Sequence, residues 1–252
     1  MSIRPGIEVA GLSDLGCQRE NNEDSYSYWE PASDADFAQK GRLAIVADGM
    51  GGHEGGQEAS RIAVEVIQET YASVAATDPQ ALLTAGFHEA HLRIQNYAAA
   101  NSKLRGMGTT ATAVVLLANR LYYAHIGDSR LYRVTREEIS RLTHDHSYVS
   151  RLVESGVITP EEAEAHPQRN ILTAALGAGS EVAVETPELP IPLKAGETLV
   201  LCTDGLWGQL TDLELQRTVV QNSPATACRA LVNLARERGG PDNITVQLLR
   251  VM

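Results

Sequence analysis

Clusters of basic residues are missing from this chain. Lys and Arg number 21 against 32 Asp and Glu, for a formal net charge of −11. That disfavours a nucleic-acid partner, because phosphate backbones are met by basic patches. An acidic surface suits metal cations better, although acidity also serves solubility. Cysteine is scarce: Cys17, Cys202 and Cys228 stand far apart, with no CxxC pair and no even set. A disulfide framework and the usual zinc spacing are thereby excluded. Cys202 lies in an apolar run, and Cys228 shares helical spacing with Leu231, Val232 and Ala235; both are expected in a core. No apolar run is long enough to span a bilayer, and the first residues carry no signal-type apolar stretch. The expectation is a cytoplasmic protein without a membrane partner. Linkers rich in Pro, Gly or Ser and low-complexity segments are also missing, so residues 1–252 read as one domain.

What is present is a set of short apolar strands. "RLAIVAD" (42–48) is one, "TLVLCTDG" (198–205) and "NITVQLLRV" (243–251) are others, and residues 109–134 hold three, broken at Asn119-Arg120 and Gly127-Asp128. Breaks this short predict antiparallel hairpins, since a parallel crossover needs a dozen or more residues. Helical patterns lie between the strand groups. Ala59, Ile62, Ala63, Val66, Ile67 and Tyr71 fall on one helix face. Asp78-Pro79 and Ser223-Pro224 read as N-caps followed by Pro. Thr159 with Glu162, and Thr211 with Glu214, have capping-box spacing, and Gly239 reads as a helix stop. The pattern is α+β, sheets covered by helices, rather than a doubly wound parallel fold.

Acids recur where strands end. "LAIVADG" ends in Asp48-Gly49, "LVLCTDG" in Asp204-Gly205 and "YYAHIGDS" in Gly127-Asp128, while Asp242 precedes the last strand. Asp204 and Asp242 meet if their strands pair antiparallel. Each Asp-Gly alone reads as an ordinary turn. As a set beside apolar strands they also read as cation ligands, because a buried carboxylate is costly unless paired or bound to a metal. Oxygen-only donors select hard cations, and two such metals can activate water against phosphorus. HExxH and EF-hand patterns are absent, and residues 49–57 lack the Lys of a phosphate loop. Gly49 lets the backbone approach a metal, and the glycines after it allow a tight turn that carries His53 over the site.

The ordered segments "RENNED" (19–24), "VADGMGGHEGG" (46–56), "MGTTAT" (107–112), "HIGDSRLYR" (125–133), "LTHDHS" (142–147), "CTDGLW" (202–207) and "GGPDNIT" (239–245) resemble the metal-dependent protein serine/threonine phosphatases of the PPM/PP2C family, in their short bacterial form. The resemblance implies a four-layer α-β-β-α sandwich of two antiparallel sheets flanked by helices, with a flap subdomain over about residues 143–182. It implies two core Mn²⁺ or Mg²⁺ ions and a third, weaker one. Asp48 then bridges the core pair, Gly49 offers its carbonyl, Asp204 and Asp242 complete the set, and Asp128 with Asp204 holds the third ion. Glu23, Asp24 and Asn243 take places around the ligands, and Arg19 grips the substrate phosphate. His53 resembles the general acid, although Met50-Gly51-Gly52 separates it from the Asp-Gly pair, which animal members follow directly with His; a solvent-facing loop His is the other reading. His125 is expected to be structural, and His144 and His146 to brace the next loop. His166 and Arg169 either recognise substrate or end a helix. The implied reaction is hydrolysis of phosphoserine and phosphothreonine in proteins by a water bridging two ions, without a covalent phosphoenzyme. Neither Cys17 nor Cys202 is followed by the Arg of a cysteine phosphatase. A monomer opposing a Ser/Thr kinase is the expected context.

Overall fold

The computed structural model describes residues 3–51, 54–73, 78–180 and 182–252. In chain order the first half contains β1 (Ile7–Asp14), β2 (Asp24–Trp29), α1 (Asp34–Lys40), β3 (Arg42–Met50), α2 (Glu54–Ser73), α3 (Pro79–Ala100), β4 (Gly108–Thr109), β5 (Ala111–Leu117) and β6 (Arg120–Ile126). The second contains β7 (Arg130–Val134), β8 (Ile139–Arg141), α4 (Tyr148–Glu154), α5 (Pro160–Glu164), β9 (Ile191–Pro192), β10 (Thr198–Cys202), α6 (Asp204–Trp207), α7 (Asp212–Gln221), α8 (Pro224–Glu237) and β11 (Ile244–Val251). One sheet has the order β1-β11-β10-β7-β8; the other runs β2-β3-β5-β6-β9, with β4 beside β3. Every strand pair is antiparallel.

Alternation along the strands builds the layers. Ala44 and Val46 of β3 face Leu199 and Leu201 of β10 in a core between the sheets. Their neighbours Leu43, Ile45 and Ala47 pack on α2 and α3. Val200 and Cys202 instead pack on α7 and α8, with Cys228 among them. Central strands buried on both faces lose the polar alternation of a half-exposed sheet, so they read as continuous apolar runs. The α+β sandwich and both core cysteines agree with expectation, as do the caps at Asp78, Thr159, Thr211 and Ser223.

One connection differs. β5 and β6 form the expected hairpin through Ala118 and Asn119, whose φ of 50° and 59° suit a type I′ turn. The break at Gly127-Asp128 is no hairpin: β6 and β7 lie in different sheets. The three residues 127–129 cross the sandwich at the end where β3 and β10 also finish. Strand lengths alone cannot distinguish a hairpin from such a crossing.

Candidate metal centre

Four acids converge at that end. Asp48 sits near the end of β3, Asp128 in the crossing, Asp204 at the start of α6 just after β10, and Asp242 just before β11. The β10–β11 register pairs Cys202 with Val246 and so brings the segments carrying Asp204 and Asp242 side by side. Asp24 is directly opposite Asp48 in the β2–β3 register. Burial first, then Asp24, Asp204, Asp128 and Asp242, raises the Asp48 carboxyl well above its ordinary range. Burial and then Asp204 raise Asp128 in the same way. Burial and then Asp242 bring Asp204 to about 6, while burial places Asp24 at about 7. Oδ1 of Asp204 and Oδ1 of Asp24 are buried without a hydrogen-bond partner. Crowded carboxylates with orphaned oxygens are a costly arrangement that hard divalent cations relieve. The donor set fits such ions.

Close backbone approach explains the glycines of the two Asp-Gly pairs. A Cβ on Gly49 would lie 2.0 Å from the Gly56 carbonyl oxygen, and one on Gly205 would lie 2.0 Å from that of Asn243. Gly49 thus lets α2 abut the acidic end of β3, and Gly205 lets α6 abut the strand after Asp242. Gly55 and Gly56 are not turn residues as expected: they lie inside α2. His53 lies outside the described residues.

The residues expected around the ligands have specific mechanical roles. Asn243 donates from Nδ2 to the carbonyls of Leu15 and Asn21, both at 3.0 Å, and its Oδ1 accepts from the Glu23 N–H at 2.8 Å. It therefore ties segment 15–23, which carries Arg19 and Glu23, to the strand beside Asp242. Asn243→Ala is expected to make residues 15–23 exchange amide hydrogens faster, with the β10–β11 amides unchanged; hydrogen exchange checks this. The Glu23 carbonyl accepts from Ser60 Oγ at 2.6 Å and from Gly49 N at 3.1 Å. Arg19 reaches back over the cluster, its Nη2 donating to Asp242 Oδ2 at 2.6 Å, with its side chain 49% exposed. It is the cation best placed to meet an incoming anion.

Several threonines do work that sequence reasoning did not assign. Thr110 Oγ1 accepts from Asp48 N at 3.0 Å, and Thr109 Oγ1 donates to Asp48 O at 2.8 Å. Thr110 also shares a hydrogen bond with Ser129 in the crossing. Thr203 Oγ1 donates to Asp24 Oδ2 at 2.9 Å and accepts from Thr245 N, linking the two sheets beneath the acids. Repeated Thr beside the strand-end acids was the available signal.

A second group of potential ligands, His125, His146 and Glu185, lies near the crossing. Hydrogen bonds fix its protonation. His125 Nε2 faces the His144 carbonyl and must carry a proton, while His146 Nδ1 accepts from Gly127 N, which leaves its proton on Nε2, facing Glu185. Burial acts to raise Glu185, but hydrogen bonds from His146 and the His144 backbone outweigh it and hold the carboxylate at about 2. This is bracing, as expected for His125, His144 and His146, and not a metal site. His166 and Arg169 fall in the turn after α5: His166 Nδ1 accepts from Gln168 N and Arg169 donates to the Glu164 carbonyl. Among the described residues neither bonds to the acidic cluster.

Two helix-flanked antiparallel sheets with carboxylates gathered at their strand ends define a protein built around a hard-cation centre. The protein phosphatase 2C profile matches residues 18–239, and the chain belongs to that family. It is similar to the protein phosphatase PhpP of Streptococcus pneumoniae, 38% identical over 96% of this chain and 97% of that protein. The structure of the S. agalactiae serine/threonine phosphatase superposes with a TM-score of 0.89 at 33% identity, covering 98% of this chain and all of that one. The catalytic domain of the serine/threonine protein phosphatase PstP, in complex with two manganese ions, gives a TM-score of 0.82 at 33% identity, covering 98% and 99%. No helix among the described residues is long and apolar enough to cross a membrane.

Proposed function

We propose that the chain hydrolyses phosphoserine and phosphothreonine in proteins, with Mn²⁺ or Mg²⁺ held by Asp48, the Gly49 carbonyl, Asp204 and Asp242, and a weaker cation held by Asp128 with Asp204. The observation that carries the proposal is the cluster itself: buried acids that raise one another's proton affinity, with orphaned oxygens and, among the described residues, Arg19 alone forming an ion pair with them. PhpP and PstP are named as protein phosphatases, and the manganese in the PstP domain supports the choice of ion. When bound, such ions supply an activated water and neutralise charge on the phosphoryl oxygens.

The chain's own residues do the rest. Asp48 and Asp204 would present oxygens to the bound cations, and the Thr109 and Thr110 hydroxyls hold the Asp48 backbone in place. Arg19 leaves Asp242 and binds the phosphate, a task suited to its forked guanidinium. Glu23 is fixed through its backbone, its carboxylate lies against Gly56 at the start of α2, and it adds to the charge around Arg19. The substrate class is tested by comparing turnover of a phosphothreonine peptide with that of a sugar phosphate under Mn²⁺. The reading expects the peptide to be preferred by at least tenfold in kcat/KM; equal turnover would point to a general phosphoesterase.

A further inference from the structure

Trp207, the last residue of α6, stands between the acidic cluster and segment 143–182. Its Nε1–H donates to the main-chain carbonyl of Asp128 at 2.9 Å. Among the described residues no other side chain donates to Asp128. The Arg130 guanidinium lies over the face of the Trp207 ring, 3.5 Å from the centroid, a cation–π contact made stronger by its removal from water. Arg130 is in turn held by both carboxylate oxygens of Asp145, at 2.6–3.2 Å, and by the Tyr132 hydroxyl at 3.0 Å. The Arg130 side chain is 17% exposed and that of Asp145 9%, so this pair is well screened from solvent and geometrically fixed.

The connection carrying Asp128 is only three residues long and crosses from one sheet to the other. The carbonyls of Gly127 and Ser129 are held by His146 N and Thr112 Oγ1, and turning the remaining one, that of Asp128, redirects the Asp128 carboxylate. Trp207 prevents that turn, Arg130 prevents Trp207 from rotating, and Asp145 fixes Arg130. We propose that Trp207 is a positioning residue for Asp128, and that Asp145 and Arg130 make cation affinity at Asp128 depend on how the first residues of segment 143–182 are seated. The inference rests on Asp128 being a cation ligand.

Titration calorimetry with Mn²⁺ alone tests it, without substrate. Asp128→Ala first defines which binding site depends on Asp128. Trp207→Phe keeps an aromatic face for Arg130 and deletes the donor. It is expected to weaken that site roughly three- to tenfold, the range of one hydrogen bond, and to leave the sites that survive Asp128→Ala at wild-type affinity. Asp145→Asn is expected to weaken the same site alone. The chain has two Trp, so in a Trp29→Phe background the emission of Trp207 reports Mn²⁺ at the weak site directly. An unchanged weak site in Trp207→Phe, or equal weakening of every site, overturns the inference. If Trp207→Phe does not fold, Asp145→Asn decides by the same criterion. If Asp128→Ala removes no site at all, it is the reading of Asp128 as a ligand that fails.

Discussion

Asp48→Asn is expected to melt above the wild type at pH 8 without metal, while abolishing turnover. The wild-type cluster pays for its function in stability. A carboxyl whose pKa is raised by folding stabilises the fold fully below its ordinary pKa and loses that contribution as pH rises through the folded value. For Asp204 the loss begins above the ordinary carboxylate range and is complete near about 6, and for Asp24 near about 7; Asp48 and Asp128 shift in the same direction. Metal-free protein should therefore weaken between about pH 4 and 8. His125 and His91 work oppositely across part of that window, because burial lowers both, His125 to about 4, so their neutral forms favour the fold as pH rises. The difference between wild type and Asp48→Asn removes that background. Relief of this repulsion at pH 8 is expected to raise the melting temperature by roughly 5–10 °C in a chain of this size. The advantage should vanish toward pH 4, and Mn²⁺ should reverse it by stabilising the wild type alone. Calorimetric melting with and without EDTA checks both; identical curves at every pH would show that the acids do not repel.

Arg19→Ala is expected to reduce kcat/KM on a phosphopeptide by about 10²-fold, the scale of losing one positioned charged donor. Arg19 rests on Asp242, so its removal also frees the carboxylate that the proposed function assigns to a cation. Mn²⁺ affinity should hold or rise while catalysis falls, a split that general unfolding does not produce. Arg19→Lys should recover only part of the loss, since an ammonium keeps the charge but not the fork. Steady-state kinetics paired with Mn²⁺ calorimetry separates these outcomes.

Much of the centre was legible because its chemistry is local. Asp-Gly after an apolar run marks both the clustered acid and the close backbone approach, at Gly49 and at Gly205, and the capping boxes at Thr159 and Thr211 are complete within four residues. What was hidden depends on long-range pairing. The crossing at residues 127–129 has the length of a hairpin turn, and only the partners of β6 and β7 reveal that it changes sheets. β1 and β2 are partly exposed and broken by polar residues, so neither gives the strong apolar run that marks β3. The glycines at 55 and 56 suggest a turn by composition, but packing against β3 keeps them in α2. Thr203 and Thr110 earn their roles from neighbours 179 and 62 residues away, a distance no local pattern spans.

The most direct measurement is phosphate release from a phosphothreonine peptide, with Mn²⁺ and then with excess EDTA, for the wild type and Asp204→Ala. The account predicts turnover by the wild type with Mn²⁺, none with EDTA, and a loss of at least 10³-fold in Asp204→Ala although the variant folds. Turnover that survives EDTA, or an active Asp204→Ala, would contradict the claim that the strand-end carboxylates hold the catalytic cations.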